Sequence, residues 1–244
     1  LLVHGEQQVA PEAEEKYLNW IRQRAEHIPL QQLTGEQGFM GLTFNVNEHV
    51  LIPRQDTEIL VEEVLKELHD GMRVLDMCTG SGCILLSLLH YSNDCEGLGV
   101  DLSAEALEVA GRNVLKVLTP EKAEHAHFLQ SDLFEKVEGK CEIIVSNPPY
   151  IASAEVEKLM PEVRDHEPRM ALDGTEDGLY FYRRIIEEAG KHLVSSGMLF
   201  FEIGYDQGQA VSELMRTEGY CKVQVVQDYA GLDRVVLGTY VERN

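Results

Sequence analysis

From Gly71 to the end, short apolar runs alternate with amphipathic stretches, and this alternation limits the fold more than any other feature. Strands are predicted over 73–76, 97–101, 127–130, 142–146, 198–203, 222–227 and 235–240. Helices are predicted over 83–91, 104–117, 178–193 and 207–217. Strands that alternate with helices build a mostly parallel sheet covered on both faces. The last two strands have no helix between them, and the short 228–233 connection suits a hairpin. One late strand is therefore expected to run antiparallel. The fold class is α/β.

The first part of the chain follows a different pattern. Residues 11–26 form a predicted helix: Pro11 suits a first turn, Tyr17, Leu18, Ile21 and Ala25 recur at helical spacing, and Pro29 ends it. The helix has few partners in its own segment, which marks it as the end of a larger helical piece. Residues 36–52 are expected to form short strands with turns at Gly38, Gly41 and 45–49. After Pro53, Asp56 or Thr57 is expected to cap a helix reaching about His69. The chain begins with Leu1 rather than Met, so its natural start is expected upstream.

Composition excludes several classes. Lys and Arg total 21 against 42 Asp and Glu, a formal net charge of −21. A protein that grips nucleic-acid backbones shows a basic surplus, so no direct nucleic-acid partner is expected. Such a charge instead favours a soluble monomer. No run approaches the roughly 18 apolar residues of a membrane span. The five cysteines, at 78, 83, 95, 141 and 221, form no CxxC pair. They fit a reducing compartment, so a cytoplasmic location is expected. His125 and His127 have nothing nearby to complete a metal site, and no metal is expected.

Two segments carry the chemistry. In the first, Val74-Leu75-Asp76-Met77-Cys78-Thr79-Gly80-Ser81-Gly82-Cys83, a buried strand runs through a Gly-containing turn into a helix. Ligands of open α/β sheets bind at such turns. Gly80 and Gly82 let a ligand approach the backbone, and the helix N-terminus favours a carboxylate or phosphate. Asp101 ends the next strand, where an acid accepts hydrogen bonds from ribose hydroxyls. The ligand is thus of adenosine type. A dinucleotide site wants a third glycine where Leu85 stands, which tilts the choice toward S-adenosyl-L-methionine.

The second segment is Asn147-Pro148-Pro149-Tyr150, after the strand 142–146. Two prolines stiffen this loop. The Asn147 side-chain oxygen and the Pro148 carbonyl can accept both N–H bonds of a planar –NH2 group, and Tyr150 offers a stacking face. An amide or aromatic amine is a poor nucleophile. Two acceptors on its hydrogens push electron density onto nitrogen and aim it for in-line attack. A third segment, Ser131-Asp132-Leu133-Phe134, is either a surface loop or an adenine site. In the second case Asp132 accepts from the amino group and Leu133 packs on the ring.

With the stretches VLIPRQDTE (50–58), HEPRMALDGTEDG (166–178) and FEIGYDQGQ (201–209), these segments make the chain resemble the peptide-chain release factor glutamine methyltransferases, the HemK/PrmC family. The likeness runs from about Leu33 to Tyr240. It implies a Rossmann-like, seven-stranded class I methyltransferase domain over 54–244, a hairpin linker over 35–53 and the end of a helical domain over 1–34. It implies transfer of a methyl group from S-adenosyl-L-methionine to the side-chain amide of the Gln in the Gly-Gly-Gln motif of class I release factors. S-adenosyl-L-homocysteine would be the product. Matching position implies that Cys78, Thr79, Gly80, Ser81, Gly82, Asp101 and Leu133 touch the cofactor; Asp132 and Asn147 complete that expected set. Asn147, Pro148, Pro149 and Tyr150 would hold the Gln, with Asn147 and Pro148 serving the chemistry. No role is assigned to Arg54.

Cys78 stands where the family has a first glycine, so its backbone must tolerate a Cβ. It is taken as a buried, inert thiol rather than a redox switch. Leu133 stands where the family often has Trp and gives up ring stacking. The alternative substrate class is an exocyclic amine of DNA or RNA, since the NPPY chemistry is shared. The net charge opposes it. A non-catalytic binding subunit and an NAD oxidoreductase fit the motifs less well.

Overall fold

The computed structural model describes residues 8–242. Residues 1–7 of the expected helical segment lie outside the described residues. The chain begins with helices α1 (Pro11–Ala25) and α2 (Leu30–Thr34) and a hairpin of β1 (Glu36–Phe39) and β2 (Leu42–Asn45). Met40 and Gly41 between the strands both have positive φ, as a two-residue hairpin turn requires. A 3-10 turn (Gln55–Thr57) leads into α3 (Glu58–Glu67). Then follow β3 (Arg73–Met77), α4 (Cys83–Tyr91), β4 (Glu96–Asp101), α5 (Ala104–Val117), α6 (Pro120–Ala123), β5 (Ala126–Gln130) and β6 (Cys141–Ser146). Two short helices, α7 (Ser153–Val156) and α8 (Pro161–Arg164), and a 3-10 turn (Arg169–Ala171) occupy the next connection. The chain ends with α9 (Tyr180–His192), β7 (Leu193–Glu202), α10 (Gly208–Thr217), β8 (Cys221–Gln227) and β9 (Asp233–Thr239).

The large sheet has seven strands in the order β5-β4-β3-β6-β7-β9-β8. Strands β3 to β7 pair parallel, and β9 runs antiparallel to both β7 and β8. The single late antiparallel strand is therefore β9. Successive side chains of a strand point to opposite faces, and the core divides accordingly. Val74, Ile143, Val145 and Phe200 pack with α3, α4 and α5. Leu75, Ile144, Leu199 and Phe201 pack with α9 and α10. Because both faces are covered, the middles of these strands present apolar side chains to both sides.

The topology places the site. From β3 the chain winds to β4 and β5 on one side, then returns to β6 and β7 on the other. A crevice opens between the carboxyl ends of β3 and β6 at this switch point.

Two expectations need correction. Neither Asp56 nor Thr57 caps α3 through its side chain. Thr57 is already in helical conformation and buried, and its hydroxyl accepts from Asn147 instead. Strand β7 starts at Leu193, well before the expected 198, because it pairs with Cys141 directly after α9.

Candidate active site

The Gly-containing loop is shaped by backbone sign and by hydrogen bonds from below. Cys78, Gly80 and Gly82 all have positive φ. Cys78 thus adopts the conformation a glycine tolerates best, at a cost of about 1 kcal/mol. Thr79 donates its N–H to the Val100 carbonyl at 2.9 Å and its hydroxyl to Asp76 Oδ2 at 2.6 Å. Burial pushes the Asp76 carboxyl up to about 7, against the pull of that hydroxyl. The two later glycines differ. A Cβ on Gly80 would meet no atom of the chain within 4 Å, whereas one on Gly82 would press on Ala110 and Leu86. Gly80 keeps open space for a ligand, and Gly82 lets α4 pack on α5.

Asp101 closes the far side. Its Oδ2 accepts the Gly80 N–H at 2.8 Å and its Oδ1 the Ser103 N–H at 2.9 Å. Each oxygen keeps a lone-pair site for a further donor. Burial raises this carboxyl, while the backbone N–H bonds pull it back. Asn113, which sequence reasoning missed, anchors the loop from behind. Its Nδ2 donates to the Ser81 carbonyl at 2.9 Å and the Asn45 carbonyl at 3.1 Å, and its Oδ1 accepts the Asn45 N–H at 2.7 Å. A fully buried Asn on the apolar face of α5 was the available signal.

The NPPY loop follows β6 at the other side of the crevice. Ser146 donates its hydroxyl to the Met77 carbonyl at 2.7 Å, tying the two strand ends together. Three distant segments then fix the loop. Ile151 exchanges backbone bonds with Leu172 (3.0 Å) and Gly174 (2.8 Å). The Gln207 Nε2 donates to the Tyr150 carbonyl at 3.0 Å, and its Oε1 accepts the Gly204 N–H at 2.9 Å. Gly178 packs so closely that a Cβ there would collide with the Tyr150 carbonyl. Arg54 gains a partner that the sequence did not reveal. It forms an ion pair with the buried Glu167, whose Oε2 also accepts the Ile52 N–H at 3.1 Å. The VLIPRQDTE and HEPRMALDGTEDG stretches meet there.

Both loops open on one cavity of about 330 Å³, within the usual size of small-ligand sites. Cys78, Thr79, Gly80, Ser81, Asp101, Asp132, Leu133, Asn147 and Pro149 line it, and so do Arg54 and Thr57. Asp132 also pairs with Arg184 at 2.9 Å. Gly82, Pro148 and Tyr150 do not line it. The Tyr150 ring packs on the α9 side of the core, and its hydroxyl donates to Glu202 Oε1 at 3.3 Å. The stacking face expected of Tyr150 is thus turned away from the cavity. Burial raises the Cys78 thiol far above its ordinary range, in keeping with an inert role.

Sheet order, glycine loop and NPPY loop together define a Rossmann-like class I methyltransferase. The methyltransferase small domain family matches residues 54–163, and the PrmC N-terminal domain family matches residues 1–35. A methyltransferase structure from Pyrococcus furiosus shares the fold, with a TM-score of 0.59 and 18% identity over 83% of this chain and 91% of that one. Release factor glutamine methyltransferases from Clostridium acetobutylicum and Moorella thermoacetica are 42% and 45% identical; each match covers 97% of this chain and 84% of the relative. The chain belongs to the release factor glutamine methyltransferase family. No described helix is long and apolar enough to cross a membrane.

Proposed function

We propose that this protein transfers a methyl group from S-adenosyl-L-methionine to the side-chain amide nitrogen of the Gln in the Gly-Gly-Gln motif of class I release factors, leaving S-adenosyl-L-homocysteine and releasing one amide proton to solvent. The observation that carries this reading is the shared cavity: Asn147 and the Gly80–Asp101 pair line the same 330 Å³ space at the switch point of the sheet. The residues fit the cofactor. Asp101 has lone pairs left for two ribose hydroxyls, and Gly80 leaves room where a side chain would stand. Cys78 to Ser81 would hold the methionine end, and Asp132 and Leu133 the adenine.

When bound, the cofactor supplies a methyl group activated by its sulfonium. The chain supplies position and polarisation. Asn147 Oδ1 accepts one N–H of the Gln amide in the cavity, and the neighbouring Pro148 carbonyl, although Pro148 does not itself line that cavity, is the proposed acceptor of the other; together they localise the nitrogen lone pair and aim it. Pro148 and Pro149 keep these acceptors from drifting. No covalent enzyme intermediate is needed. In this reading 1–34 is the end of a helical domain, 35–53 a linker and 54–244 the catalytic domain.

Labelled S-adenosyl-L-methionine tests the proposal with three acceptors: a release factor, its Gly-Gly-Gln→Gly-Gly-Ala variant and duplex DNA. Label is expected on the native factor alone. Label on DNA alone would move the same Asn147 chemistry to nucleic-acid amines.

A further inference from the structure

An Asn side chain can hold the acceptor amide only if its oxygen, and not its –NH2, faces the cavity. The two orientations have the same shape, so hydrogen-bond partners must choose between them. Asn147 Nδ2 donates to Thr57 Oγ1 at 3.4 Å, and Oδ1 accepts no hydrogen bond among the described residues. Thr57 is buried and, while accepting from Asn147, still has its own proton to give. Glu202 ends β7, and the pairing of Ser146 with Phe201 sets it beside the NPPY loop. Its Oε1 accepts from Tyr150; its Oε2 is buried and has no hydrogen-bond partner. No hydrogen bond joins the Thr57 hydroxyl to this carboxyl, but the hydroxyl is near enough to oppose the effect of burial.

We infer that Thr57 and Glu202 are positioning residues that set which way the Asn147 side-chain amide faces. The role of Asn147 toward the acceptor rests on the function proposed above; the orientation itself does not. An ionised Glu202 can only accept. In the inferred relay it accepts a hydrogen bond from the Thr57 hydroxyl, Thr57 is left to accept from the Asn147 –NH2, and Oδ1 is turned to the cavity. A protonated Glu202 donates to Thr57, whose own proton then points at Asn147 and draws Oδ1 away from the cavity. Burial pushes this carboxyl up to about 7, so the change falls near neutral pH. The other groups facing Glu202 are Tyr150, Asp56, Arg234 and Tyr182, whose hydroxyl donates to the Glu202 carbonyl at 2.8 Å. Arg234 is itself held by Asp228 at 3.1 Å and Asp56 at 3.5 Å.

The test has two arms. In the cofactor-free protein, the Asn147 side-chain amide signals are followed by NMR through neutral pH. They are expected to move with a midpoint near 7, and to stop moving in Glu202→Gln. In the second arm, kcat is measured at saturating cofactor against pH. It is expected to fall on the acid side with the same midpoint. Glu202→Gln and Thr57→Val should lose roughly tenfold to a hundredfold in kcat, with binding of S-adenosyl-L-homocysteine within about twofold of wild type. Thr57→Ser should restore kcat, which a mere packing role for the methyl group would not allow. Asn147 signals that ignore pH, or a Glu202→Gln enzyme with the wild-type pH profile, would overturn the inference. If the signals titrate but no release factor is methylated, the relay stands and the proposed acceptor falls.

Discussion

The two walls of the cavity are built in different ways. On the wall proposed to hold the cofactor, the Cys78–Gly82 loop bonds to groups 3 to 32 residues away: Thr79 to Asp76, Gly82 to Thr79, Gly80 to Asp101 and Ser81 to Asn113. On the wall proposed to hold the acceptor, the partners come from far along the chain: Tyr150 with Gln207, Asn147 with Thr57, Arg54 with Glu167. The first wall is closed within one continuous stretch of chain, from Asp76 on β3 to Asn113 on α5. The second wall exists only when the whole domain has closed. Damage to the first should therefore show in cofactor affinity, and damage to the second in turnover and global stability.

The largest effect expected is on the acceptor wall. Asn147→Ala should lower kcat roughly 100- to 1,000-fold, the usual cost of removing a preorganised polar group at a reacting centre. Calorimetry should find the affinity for S-adenosyl-L-homocysteine nearly unchanged; a parallel loss of affinity would erase the division between the walls. Asp101→Ala should act in the opposite way. It removes the partner of two backbone N–H groups as well as the proposed ribose contact, and Kd should rise roughly 10- to 100-fold. Thermal melting without ligand should move little. Glu167→Gln takes the charge from the buried end of the Arg54 pair and should cost roughly 1–3 kcal/mol of stability. Urea unfolding would measure that cost, and unchanged cofactor affinity would assign it to the acceptor wall. The smallest change is Cys78→Gly. It relieves a left-handed Cβ and should stabilise by less than about 1 kcal/mol. A destabilised variant would mean that the half-buried thiol contributes more packing than its backbone costs.

The same contrast separates what the sequence discloses from what it hides. Helices α4 and α5 coincide with the predicted 83–91 and 104–117, and each predicted strand has its counterpart in the sheet. Apolar period and glycine punctuation are local properties. The glycine loop itself was legible for the same reason, although Gly82 turned out to serve helix packing. The supports of the NPPY loop were not legible. Nothing in VLIPRQDTE says that Arg54 will meet Glu167, because the contact is made through space after the sheet has formed. Thr57 looked like a helix cap because Ser, Thr and Asp usually cap; a buried acceptor position beside Asn147 outweighed that preference. Tyr150 looked like a stacking platform, but its hydroxyl sought the buried Glu202. A trace of this was visible, since Glu202 is a lone carboxyl ending the apolar run Met198 to Phe201.

Asn113 has one more consequence, and it concerns the tolerance of the hairpin to change. Both hydrogen-bonding groups of the Asn45 backbone are held by this single side chain from a helix that lies 68 residues further along. A slip of β2 by one residue would present Phe44 or Val46 in place of Asn45 and swing the fully buried Phe44 toward water. The tip at Met40 and Gly41 can therefore grow or shrink during evolution, while the segment 42–45 behaves as a ruler whose zero mark is cut into α5.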